Sequence, residues 1–136
     1  MVLIWLMVAA LGKPGDYQVV YGSEPITLWG AGCAERLRTN LRLYLQNDKI
    51  IRVSAKKVFV ASAEGPVKPF WSDHSGATTT LKYQWDAYSP MLITINWTKL
   101  TIRIAVSRKF EERNCGVSWT GSLKYIADGI KARAAR

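Results

Sequence analysis

Residues 91–106 read MLITINWTKLTIRIAV, and the fold turns on how that run is taken. Met91, Ile93, Ile95 and Trp97 alternate with Leu92, Thr94, Asn96 and Thr98, the period-two pattern of a strand with one face buried. From Leu100 onward the apolar set moves to even numbers: Leu100, Ile102, Ile104 and Val106. Folding the run back at Trp97-Thr98 accounts for the change of parity. It pairs Ile95 with Leu100, Ile93 with Ile102 and Met91 with Ile104, and it sets Thr94 against Thr101 and Asn96 against Lys99 on the other face. The spacing predicts a hairpin at the centre of an antiparallel sheet, with a turn that lacks the Asn-Gly pair favoured in the tightest hairpins.

The stretch upstream alternates in the same way. Leu37, Thr39, Leu41, Leu43 and Leu45 interleave with Arg36, Arg38, Asn40, Arg42, Tyr44 and Gln46, which predicts an amphipathic strand, on the reasoning that a helix would scatter these leucines around its circumference. Asn47-Asp48-Lys49 supplies a turn, and the return strand pairs Leu45 with Ile51, Leu43 with Val53 and Leu41 with Ala55. That register gathers Arg36, Arg38, Arg42, Arg52 and Lys56, with Tyr44 among them, into a basic patch on one sheet face. A slip of parity at Lys56-Lys57, before Val58-Phe59-Val60, predicts a bulge or bend.

Shorter strands flank these two hairpins. Tyr17, Val19 and Tyr21 alternate, Gly22-Ser23-Glu24-Pro25 turns the chain, and a second short strand follows at 26–29. Gly30-Ala31-Gly32-Cys33 is a flexible corner with none of the Lys-Ser or Lys-Thr that completes a phosphate loop. Residues 61–77, with two prolines, two glycines, Phe70, Trp71 and His74, read as one long irregular loop. Leu81, Tyr83 and Trp85 resume the alternation, Val117 and Trp119 mark a last strand, and the alanines of 125–136 favour a short helix that Gly129 weakens. The resulting expectation is a mostly β domain, a single antiparallel β-barrel or β-sandwich of about eight strands with a short C-terminal helix. Trp29, Leu41, Leu43, Leu45, Val53, Tyr83, Trp85, Ile93, Ile95, Leu100, Ile102, Ile104 and Trp119 are its expected core.

A chain of 136 residues accommodates one such domain, residues 13–136, ending in a basic tail with Lys131, Arg133 and Arg136. Residues 1–12, MVLIWLMVAALG, are uncharged and too short for the roughly twenty residues that cross a bilayer. They resemble the apolar core of a secretory signal, with small residues at Ala10 and Gly12, although no Lys or Arg precedes them. An uncleaved anchor and a buried first element of the fold are the alternatives. Cleavage would direct the chain to the periplasm or outside the cell, leave no transmembrane span, and keep the net charge of +9. Cys33 and Cys115 suit one disulfide in an oxidising compartment, closing a loop of about 80 residues worth around 4.5 kcal/mol; two independent buried thiols are the alternative.

Catalytic patterns are sparse. Asp73-His74-Ser75 are chain neighbours, and neighbours do not converge as a triad must. Cys33 with His74 as base is a poor nucleophile pair beside a disulfide. One histidine and two distant cysteines offer no metal spacing and no cofactor is implied. Glu111-Glu112 look solvent-facing and the other acids are dispersed, leaving no evident acid and base pair. Asn96-Trp97-Thr98 matches a glycosylation acceptor at a hairpin tip. The basic patch of Arg36, Arg38, Arg42, Tyr44, Arg52 and Lys56 is the main candidate site. It points to a non-enzymatic exported binding module for an anionic ligand, a glycan or an acidic protein, or one whose barrel mouth takes a small apolar ligand. Nucleic acid fits less well, since only Tyr44 stands among the cations as a stacking ring. The alternatives are a structural subunit, such as a virion or surface-assembly protein whose basic tail meets nucleic acid, and an enzyme working from residues 61–77.

Overall fold

The computed structural model describes residues 13–20, 26–30, 34–46, 49–54, 57–62, 65–67, 69–86, 89–110 and 113–127. Among these lie ten strands and one helix, in the order β1 (Gly15–Val20), β2 (Ile26–Trp29), α1 (Ala34–Gln46), β3 (Ile50–Ser54), β4 (Lys57–Ser62), β5 (Gly65–Val67), β6 (Trp71–Ser75), β7 (Thr78–Asp86), β8 (Ser89–Asn96), β9 (Thr101–Phe110) and β10 (Arg113–Ala127). The strands form one sheet in the order β5-β4-β3-β1-β10-β9-β8-β7-β6, with β2 paired to β10 off that path. The mostly β, antiparallel expectation holds, and the sheet is a single curled half-barrel in place of a closed barrel or a two-sheet sandwich. The helix lies in the middle of the chain, not at its C-terminal end. Tyr125, Ile126 and Ala127 continue β10, and residues 128–136, with the predicted helix and basic tail, lie outside the described residues, as do residues 1–12.

The β8–β9 hairpin is present with a register two residues from the expected one. Ile95 faces Ile102, Ile93 faces Ile104 and Met91 faces Val106. A shift of two keeps every side chain on its predicted face, so the burial pattern survives the slip. The connection is longer than predicted because Trp97 turns inward instead of capping the turn, donating its Nε1–H to Thr79 Oγ1 (2.7 Å). Leu100 closes the loop in the left-handed region, at φ 51°, a conformation that costs a non-glycine residue roughly 1–2 kcal/mol. Its carbonyl accepts the Leu123 N–H (2.8 Å) and its half-buried side chain packs on the core, which holds it there.

The predicted strand at 36–46 is instead α1, and its pairing with residues 51–55 does not occur. Leu37, Leu41 and Leu45 recur every four residues, a spacing that satisfies a strand's period of two and also keeps one face of a helix. These three are buried, whereas Leu43, which a strand would also turn inward, is 57% exposed. β3 pairs instead with β1, Tyr17 opposite Ile51, and with β4, Ile51 opposite Val60. Ser54 faces Lys57, so the predicted bulge at Lys56-Lys57 is a hairpin connection; residues 55 and 56 themselves lie outside the described residues. The predicted loop at 61–77 contributes the end of β4, then β5 and β6.

The concave side of the sheet carries the core. Tyr17, Ile51, Val53, Val58, Val60, Leu81, Tyr83, Ile93, Ile95, Ile102, Ile104, Val117 and Trp119 are buried there with the three leucines of α1. Of the expected core, Leu43 is exposed, Leu100 is half-buried, and the side chains of Trp29 and Trp85 lie outside the description. Two close fits define the interior. Val60 N–H of β4 donates to Tyr83 Oη of β7 (2.9 Å), although five strands separate β4 from β7 in the sheet order. On β10 the Trp119 indole lies across Gly121, in the space that a side chain there would occupy.

Replacing Tyr83 with Phe leaves the buried Val60 N–H without its acceptor and should lower unfolding free energy by about 1–3 kcal/mol, read from urea midpoints. Gly121→Val should displace the Trp119 ring and cost a similar amount, about 1–3 kcal/mol. The near-ultraviolet dichroism should change with it; an unaltered spectrum and midpoint would contradict the fit of Trp119 against Gly121.

Candidate functional site

The six residues of the predicted basic patch are distributed over three surroundings. Arg36, Arg38 and Arg42 lie on α1, where about 100° separates successive residues. Arg38 and Arg42 are one turn apart and border the leucine stripe on one side; Arg36 falls on its other side. Arg38 Nη1 lies 3.7 Å from Glu35 Oε2, and Glu35 is the one acidic residue in α1.

Tyr44 is not displayed among the cations. It packs at the margin of the core with Lys49 Nζ 4.2 Å from the centre of its ring. Burial raises its phenol far above the ordinary value, and the neighbouring Tyr83 adds to the effect. Arg52 sits on β3 directly opposite Asp16 of β1. Its Nε–H donates to Asp16 Oδ1 (2.8 Å) and its Nη2 to Oδ2 (3.1 Å), a two-pronged carboxylate pair whose hydrogen bonding raises the guanidinium pKa further. Lys56 lies outside the described residues. The helix therefore keeps Arg38 and Arg42 together and turns Arg36 to the other flank of the leucine stripe, and a carboxylate from a strand 36 positions away in sequence engages the fourth arginine.

Residues 71–75 alternate across β6, so Asp73 and Ser75 share one face and His74 takes the other. His74 Nδ1 meets Thr79 Oγ1 at 3.0 Å. The same hydroxyl accepts the Trp97 indole N–H, so Thr79 links β6 to the residue that follows β8. The contact fastens the β6–β7 hairpin. Cys115 is buried on β10; its predicted partner Cys33 lies outside the described residues. Asn96 Oδ1 accepts the Lys99 N–H (3.0 Å) and so shapes the β8–β9 turn. Among the described residues no three His, Cys, Asp or Glu side chains are grouped to hold a metal, and no helix there is long and apolar enough to cross a membrane.

Two features escaped the sequence reading. At the turn end of the half-barrel an aromatic chain runs from Trp97 to Tyr17 (ring centres 5.2 Å apart), on to Tyr125 (5.1 Å), and ends with Lys13 Nζ 4.0 Å above the Tyr125 ring. At the edge of the sheet all of β6 is exposed, and Phe70 and Trp71 stand open to solvent at its start. The local cue was there in Trp71 and Lys82, whose registered pairing sets Lys82 Nζ 4.5 Å from the centre of the Trp71 ring. No protein-family model, curated protein or solved structure matches this chain.

The buried phenols set a pH limit. Desolvation raises the Tyr17 and Tyr44 phenols and pushes Tyr83 up to about 12. Between about pH 10, where an unfolded chain releases phenolic protons, and about pH 12, the folded chain holds more protons than the unfolded one, so stability falls as pH rises. Urea midpoints should be flat below that window and drop through it. Tyrosinate absorbance should show these tyrosines ionising only as the fold is lost; a full tyrosinate yield from folded protein would contradict their burial.

Proposed function

We propose that this chain is a non-enzymatic, exported binding module that holds an anionic glycan or an acidic protein against the arginines of α1. The observation that carries the reading is the placement of Arg36, Arg38 and Arg42 within seven residues of a helix that has a single acid, on a chain of net charge +9. Leu37, Leu41 and Leu45 fasten that helix to the core, so the guanidinium groups start from a fixed base. A charged polymer laid across α1 reaches Arg38 and Arg42 on one side and Arg36 on the other. The positive field draws such a polymer in and the planar guanidinium forks match carboxylate or sulfate oxygens.

The export part of this reading rests on the apolar leader and on a proposed Cys33–Cys115 bond. Gly30, at φ +77°, lies so close to Asn114 and Cys115 that any side chain there would collide with them. Cys33 follows three residues later, within about 10 Å of chain reach, and no cysteine among the described residues is a free thiol.

Heparin affinity tests the binding surface. Arg36→Ala, Arg38→Ala and Arg42→Ala combined should elute at clearly lower salt than Lys57→Ala, Lys99→Ala and Lys124→Ala combined, which removes the same charge from elsewhere. Equal shifts would reduce the effect to net charge and discard the α1 site. Intact mass of the native protein before and after reduction should differ by two hydrogens. Reduction should then lower stability by up to about 4.5 kcal/mol.

A further inference from the structure

The two ends of the strand order are finished differently. β5 is three residues long and has Pro66 at its centre, so it lacks one backbone N–H and offers a poor template for another strand. β6, Trp71–Ser75, is five residues long, exposed throughout, and free of proline, lysine and arginine. Among the described residues nothing pairs with its outer edge. Lysines, prolines, bulges and other charges are the usual protection of an exposed edge against pairing with another chain; of these β6 carries the single charge of Asp73.

We infer that the outer edge of β6 is a docking strand for an extended segment of an acidic protein, which adds to the sheet and sets a carboxylate beside Lys82 at Trp71. The surface is separate from α1 and stands whether or not the arginines there bind anything. Its chemistry follows from the face that Trp71 and Asp73 share. Lys82, one strand in from the edge, places its Nζ 4.5 Å from the centre of the Trp71 ring, so the ammonium hangs over the residue nearest the next strand position, about 4.8 Å further out. A glutamate or aspartate opposite Trp71 reaches that cation, and its own backbone continues the ladder. Two residues along, opposite Asp73, the incoming segment needs a neutral or hydroxyl side chain.

Other occupants fit worse. Two copies of a chain with net charge +9 repel each other. Symmetric antiparallel pairing centred on Asp73 would set that carboxylate against its own copy, and like charges directly opposite are unfavourable; pairing centred on Ser72 avoids this, and what opposes it is the mutual repulsion of the two cationic chains. Anionic lipid headgroups would meet Asp73 in the middle of the strand.

The probe is a short labelled peptide of alternating valine and threonine with one central glutamate, followed by fluorescence anisotropy with the full chain. It should bind, and the same peptide with lysine in place of glutamate should bind at least about fivefold more weakly. A form N-methylated along its backbone should not bind. Trp71→Ala and Lys82→Gln should each weaken the glutamate peptide by about fivefold and abolish its advantage over the lysine peptide. The triple alanine variant of α1 should retain that advantage, which separates failure here from failure of the heparin-binding surface. No binding of the glutamate peptide, equal binding of both peptides, or binding indifferent to Trp71→Ala and Lys82→Gln would each overturn the inference. So would a dimer that Trp71→Ala dissolves, which assigns the edge to a second copy, or adsorption to phosphatidylserine vesicles lost in the same variant, which assigns it to a membrane.

Discussion

The hydrogen bond from the Val60 N–H to Tyr83 Oη is the constraint on which the shape of the molecule rests. It joins β4 and β7 across the concave side, and strands so far apart in the order can meet only if the sheet curls steeply. Twist alone bends an antiparallel sheet, and the side chains on its inner face decide how far. Here one tyrosine spans what remains of the gap, its ring in the core and its oxygen satisfying a backbone donor that would otherwise be buried without a partner. α1 then packs its leucine stripe against the core that the curl creates, and the positions of Arg36, Arg38 and Arg42 follow from that packing.

The antiparallel β character and the faces of β8 and β9 were legible in the sequence because strict alternation over many residues fits no helix. The register was less legible. Placing the turn at Trp97-Thr98 assumed that Trp97 belonged to the loop, while its indole is committed to Thr79, which lies 18 positions away in the chain. Leucines at intervals of four gave no decision between strand and helix, and Thr39 and Leu43 completed a false alternation. In the helix those two are simply exposed.

The candidate site was legible in composition and only partly in arrangement. Arg38 and Arg42 remain neighbours because they lie one turn apart on one helix, whereas the same helix turns Arg36 to the other flank of its leucine stripe. Arg52 and Tyr44 depend on long-range partners, Asp16 for one and Tyr83 for the other. No periodicity within a short window reports such pairings. The exposed edge at β6 was hidden for a related reason: prolines and glycines in residues 61–77 imitate a loop, and which strand ends a sheet is a property of topology.

The place of β1 has a consequence for how the chain acquires its structure. β1 pairs with β3 on one side and with β10 on the other, so the three-strand block of β3, β4 and β5 joins the rest of the sheet through that single strand. Among the described residues the first strand thus pairs with the last, and Asp16 lies opposite Ala127, more than a hundred positions along the chain. Such distant pairing makes folding slow. Without β10 the ladder divides into two pieces, β5-β4-β3-β1 and β9-β8-β7-β6, so this one strand closes the two halves into a single sheet.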